Sequence, residues 1–202
     1  MRKGLKIIYL ISSAVMILQS AKAQKNRPIM EKNPVILPNG ELNIKPSLTS
    51  SAHDFDFFSG DWKLTNRKLK DRLSGNSEWL EFPATQSMSK ILMGIGNRDN
   101  YLAVINGKPF EGMTLRLFNP NTRLWTIYWA DSNSGALETP VVGSFDGDIG
   151  IFYARDTFRG KPIIVKFNWD KSDPAHPIWS QAFSADNGKT WEWNWYMYFS
   201  RP

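Results

Sequence analysis

Beyond residue 53, apolar and polar side chains alternate with a period of two through much of the chain. Trp125, Ile127 and Trp129 fall opposite Thr126 and Tyr128, and Ile163, Val165, Phe167 and Trp169 fall opposite Lys166 and Asn168. Successive side chains of a strand point to opposite faces, so this period marks half-buried β-strands. Applied to the segment from Trp191 to Trp195, the same rule predicts Trp191, Trp193 and Trp195 on one face of the last strand. Strands are predicted over 62–69, 77–82, 85–92, 101–105, 113–118, 123–130, 141–145, 149–155, 162–169, 178–184 and 191–199. No segment after the first 23 residues sustains a 3.6-residue period, so any helix there is short.

The breaks between these runs carry turn chemistry. Asn106-Gly107, Asp146-Gly147 and Asn187-Gly188 offer the positive φ that short hairpins require, and Arg159-Gly160-Lys161-Pro162 closes another. Asn119-Pro120-Asn121-Thr122 presets a type I-like bend. Strands joined in sequence by tight turns form an antiparallel meander, which either stacks as a sandwich or closes into a barrel.

The N-terminal residues have a different character. Arg2, Lys3 and Lys6 precede an apolar run from Ile7 to Leu18, and Ala21-Lys22-Ala23 ends it with small residues where a signal peptidase reads them. The expectation is a signal peptide over 1–23 and export to a periplasm or the medium, with no integral membrane association after cleavage. Removing Arg2, Lys3, Lys6 and Lys22 takes the 25 basic residues to 21 against 19 acidic. The basic balance thus belongs mainly to the signal, and no nucleic-acid partner is expected. Residues 24–52, with several prolines and no period, are expected to form a flexible arm leading into a barrel domain over 53–202. The absence of cysteine excludes disulfides, thiolate metal sites and thiol catalysis. Stability then rests on one core containing many of the nine tryptophans.

Gly60-Asp61-Trp62 at the start of the first barrel strand, with Arg201 just past the last, resembles the lipocalin and fatty-acid-binding (calycin) superfamily. The resemblance implies that Trp62 plugs the closed end and that a basic side chain, here Arg201, stacks over it. The wider wording resembles exported bacterial proteins with a lipocalin-like or nitrobindin-like barrel. The segments His53-Asp54-Phe55-Asp56-Phe57, Gly94-Ile95-Gly96-Asn97, Thr114-Leu115-Arg116-Leu117-Phe118 and Ile127-Tyr128-Trp129-Ala130-Asp131 carry it, as does the stretch from Phe183 to Trp195. The implied fold is all-β, a single antiparallel meander barrel of about ten strands.

Candidate chemistry is sparse. Ser184-Ala185-Asp186-Asn187-Gly188-Lys189-Thr190-Trp191 fits the Asp-box of sialidases and other propellers, but one copy supports a stabilised hairpin and not a propeller. A haem-binding barrel needs an axial histidine, and His53 and His176 both fall in predicted rim or surface segments. No cofactor and no metal are therefore expected. Asp131, Asp146, Asp148, Arg155 and Asp156 lie near predicted strand ends, where carboxylates cap turns more often than they act as acids or bases. Polar groups embedded in apolar strands remain: Arg116, Tyr128, Gln181 and Asn194, with Trp129 as an aromatic wall. Gln181 shares a face with Trp179 and Phe183 and so resists assignment to the wet side. The expected function is binding of a small hydrophobic or aromatic ligand in the barrel, with Arg116 orienting an acidic end and contributing little to folding. An isomerase, cyclase or hydrolase using the same cavity, or a filled barrel serving as an interaction module, are the alternatives.

Overall fold

Among residues 33–202, the part of the chain that the computed structural model describes, ten strands close into one antiparallel barrel. The expected signal segment and the first part of the expected arm lie outside the described residues. A short hairpin of β1 (Val35–Ile36) and β2 (Leu42–Asn43) precedes the barrel. The barrel strands are β3 (Gly60–Leu69), β4 (Trp79–Ile91), β5 (Gly96–Ile105), β6 (Lys108–Asn119), β7 (Leu124–Asp131), β8 (Val141–Asp146), β9 (Ile149–Phe158), β10 (Lys161–Asp170), β11 (Ile178–Ser184) and β12 (Glu192–Ser200). Each pairs with its neighbour in sequence, and β12 pairs with β3 to remove the last free edge. Two 3-10 turns, Asp56–Phe58 and Leu92–Gly94, are the helical elements among the described residues, and no helix there is long and apolar enough to cross a membrane.

The predicted hairpins form. Asn106-Gly107 and Arg159-Gly160 both take positive φ at their two central positions, the backbone twist that two-residue hairpins prefer. Two departures from the predicted pattern have clear causes. The segments 77–82 and 85–92 are one strand, β4, which runs through Pro83. Pro83 pairs with Thr65 of β3, while the ladder to β5 begins only at Ala84, so the proline sits where β4 has a partner on one side. The second departure lies in β12. Gln181 pairs with Trp195 and Ala182 with Trp193, leaving Asn194 as the extra residue of a β-bulge. The bulge resets the alternation, so the three indoles do not share a face. Trp195 points into the barrel, and Trp193 and Trp191 lie outside it beside Lys166.

One end of the barrel is plugged. Phe55 and Phe58 enter beneath the strands, where Phe58 stacks on Trp62 at 5.5 Å and meets Trp169 and Phe199 edge-on. Trp62 is buried, and its indole N–H donates to the Phe58 carbonyl at 2.8 Å. The buried Asp54 carboxylate holds the entering chain by accepting from the Ser51 amide and the Trp125 indole. The lead-in, expected to be loose, is fastened here. The Ser47 amide donates to Ser144 Oγ, and Arg123 donates to the Leu48 and Ser50 carbonyls.

Candidate functional site

The strand pattern that fills the plugged end leaves a cavity of about 310 Å³ above it. That is at the small end of roughly 300–1,000 Å³ for ligand sites. Its walls are inward positions of most barrel strands, including Val165, Phe167, Trp179, Trp195 and Met197. A groove on the outer wall beside Ser87, Arg98 and Met113 has a larger volume, about 620 Å³, but it is open to solvent.

At the inner end Arg116 reaches inward from β6. Its guanidinium donates to Asp99 at 2.5 Å and to Asn97 Oδ1 at 3.0 Å. Arg116 is 3% exposed and Asp99 2%. The guanidinium also lies 5.0–5.7 Å from the rings of Phe55, Phe58 and Trp169. Its charge is therefore balanced by a neighbouring strand and its faces are covered by the plug. A buried pair of this kind leaves an uncompensated charge if either partner is removed. The expectation that Arg116 matters little for folding does not fit this geometry.

Around the middle, Gln181 Nε2 donates to Asn194 Oδ1 at 2.8 Å, so the bulge residue holds the side chain that faces the cavity. Across the barrel, Gln86 lines the cavity with its carbonyl oxygen unpartnered among the described residues. The Tyr101 hydroxyl is buried nearby, and that burial raises its pKa. Trp129 lies flat across Gly112: a Cβ there would come within 2.2 Å of the indole ring. Glycine on β6 is what lets Trp129 pack against Tyr101 and Phe110 as an aromatic wall.

The mouth carries charge. Lys68, at the end of β3, sets its ammonium 3.7 Å from the Trp195 ring centroid. Arg72 belongs to the β3–β4 loop, which folds over the mouth and stacks its guanidinium on Phe158 and Phe183. The loop is latched from both sides: Asp71 pairs with Arg159 at 2.6 Å, and the Leu73 amide donates to the Glu192 carboxylate. Burial, aided by the charge of Arg72, pushes Lys68 down to about 8. Burial, together with Asp131 and Asp156, pushes Glu138 up.

Of the residues singled out from sequence, Arg116, Trp129 and Gln181 line the cavity together. Asn194 stands behind Gln181. Tyr128 does not belong to the cavity: it alternates with the inward Ile127 and Trp129 and falls on the outer wall. The strand-end carboxylates divide between the two ends. Asp131 and Asp156 line the mouth, whereas Asp146 accepts from Ser47 at the plugged end. The Asp-box residues form a local turn outside the cavity, where Asp186 accepts from the Thr190 hydroxyl and amide. His53 and His176 pair with Asp56 and Asp173 and do not line the cavity. Sequence reasoning missed Lys68, Arg72, Gln86, Tyr101 and Glu138. Gln86 was within reach, because it shares an inward face with Ala84 and Met88 as Gln181 does with Trp179 and Phe183.

No protein-family model matches the sequence, and comparison with curated proteins gives no significant match. Among solved structures, the S-type phycobiliprotein lyase CPES from Guillardia theta superimposes with a TM-score of 0.50 at 10% identity. The alignment covers 77% of this chain and 94% of the lyase. At that identity the likeness concerns the fold alone, a closed antiparallel β-barrel.

Proposed function

We propose that this protein, after export, binds a small, largely apolar or aromatic ligand inside the barrel. The observation that carries the proposal is a cavity of about 310 Å³, closed at one end by the plug and lined by aromatic and aliphatic side chains together with a comparable share of polar and charged ones. At ~30 Å³ per molecule of liquid water, that space equals about ten waters. An apolar ligand gains roughly 25 cal/mol for each Å² it removes from water, and Gln86 and Gln181 supply orientation. Export is supported by the charged, apolar and small-residue pattern of the first 23 residues. Native mass spectrometry of protein purified from its own host tests the proposal. The expected spectrum shows one small molecule bound per chain and released by organic solvent. Only the unliganded mass, with no saturable binding of any apolar compound, would contradict it.

Catalysis in the same cavity is the second reading. It is favoured by the opposed shifts of Lys68 and Glu138, which bring a base and an acid closer to neutrality at one mouth. The structural neighbour is a lyase, which is compatible with an enzyme on this fold.

A further inference from the structure

The cationic groups of the cavity differ in what they already touch. Arg116 is neutralised by Asp99, so it offers an incoming anion little net charge. Lys68 and Arg72 at the mouth have no carboxylate within ion-pair distance among the described residues, and neither ammonium nor guanidinium donates a hydrogen bond there. Each lies instead on an aromatic face, which attracts the cation but leaves its N–H donors unfilled. Both line the same cavity, and each is close enough to Trp195, Phe158 or Phe183 to be held in place.

We propose that Lys68 and Arg72 together receive a single carboxylate at one end of a ligand whose apolar or aromatic body fills the cavity beneath them. The proposal rests on the ligand-binding reading above and moves the acidic-end contact from Arg116 to the mouth. Two like charges converging on one site repel one another, and an anion between them reverses that repulsion.

The acidic groups around the mouth do not already fill this role. Asp131 accepts from the Trp129 indole and from the Asn133 and Ser134 amides. Asp156 accepts from the Thr157 amide and Thr139, Asp71 pairs with Arg159, and Glu192 takes the Leu73 amide. Glu138 faces Lys68 and Arg72 without a contact at ion-pair distance, and its raised pKa makes it readier to take a proton and donate to an anion. Binding of a carboxylate is then coupled to keeping Lys68 charged, so affinity falls as pH rises through the Lys68 titration near 8.

Three probes with one aromatic body and different ends test the proposal by calorimetric titration near neutral pH: 2-naphthoate, 2-naphthylmethanol and 2-naphthylmethylammonium. A charge-assisted contact predicts that 2-naphthoate binds about tenfold more tightly than the alcohol. Lys68→Met, which keeps the packing on Trp195, and Arg72→Gln should each remove most of that preference, so that the affinities for naphthoate and alcohol converge. Equal affinity for naphthoate and alcohol, a preference that survives both substitutions, or tighter binding of the ammonium probe would overturn the carboxylate assignment while leaving the cavity reading standing. Binding of none of the three would overturn both.

Discussion

Arg201 lies with its guanidinium carbon 3.6 Å from the centroid of the Trp62 ring. The same guanidinium donates to the Phe57, Ser59 and Asp61 carbonyls, at 3.1, 2.9 and 3.2 Å. One side chain after the last strand therefore clamps the indole and the loop that introduces the first strand. Gly60, at φ +92°, supplies beside this clamp a backbone conformation that other residues rarely adopt. The plug in turn forms the floor beneath the cavity.

Trp62→Ala should lower the unfolding free energy by about 3–5 kcal/mol, the usual range for emptying a buried large aromatic site. Denaturant unfolding followed by circular dichroism measures it. An unchanged midpoint would rule out the plug role.

Arg116→Ala should cost stability as well, by about 3–5 kcal/mol, because it leaves the Asp99 carboxylate buried without its partner. Pairing Arg116→Met with Asp99→Leu should recover most of the loss, since the charge and its partner then leave together. If Arg116→Ala is as stable as the parent, the two residues do not form the closed pair described above.

Gly112→Val introduces side-chain atoms where the Trp129 ring now lies. Overpacking of this kind costs about 1–3 kcal/mol, and the indole must swing away from Tyr101 and Phe110. The expected signature is a shifted tryptophan emission together with weaker binding of aromatic probes. Parent-like emission and binding would show that the wall has room to spare.

Lys68 gives a pH prediction with a definite sign. Its pKa is about 8 in the fold against 10.5 for an unperturbed lysine, so between those values the unfolded chain holds the extra proton. Stability from this group therefore rises with pH across that window, and the penalty of burying the charge is fully present below it. Lys68→Met should be more stable than the parent near neutrality, with the gap narrowing as pH climbs from about 8 to 10.5. Comparing the two proteins cancels the titration of groups they share. A gap that stays constant across the window would contradict the assignment.

The barrel was legible in the sequence because alternation and turn chemistry are local signals. Trp125, Ile127 and Trp129 point inward as their spacing requires, and Asn106-Gly107 turns as its composition requires. The Trp62–Arg201 relationship came from resemblance, since nothing local links positions so far apart in the chain. What stayed hidden depends on register or on distant partners. The bulge at Asn194 shifts parity within one strand, which separates Trp195 from Trp193 despite their spacing of two. The neutralising partner of Arg116 is Asp99, on a different strand, so the isolated motif around Arg116 looked like a free cation. Nothing local marks Lys68 and Arg72, because the rings beneath them come from strands distant in the chain: Trp195 on β12, Phe158 on β9 and Phe183 on β11.

The central claim is that the barrel holds an apolar guest, and the most direct measurement is calorimetric titration of 2-naphthylmethanol into the parent and into Thr114→Phe. Thr114 lines the cavity, so a larger aromatic side chain there fills the guest's space, with circular dichroism confirming that the barrel is retained. The account predicts saturable one-to-one binding in the parent and none in the filled variant. Equal binding by both would place the guest somewhere other than the cavity, and no binding by the parent would leave the proposal without a ligand.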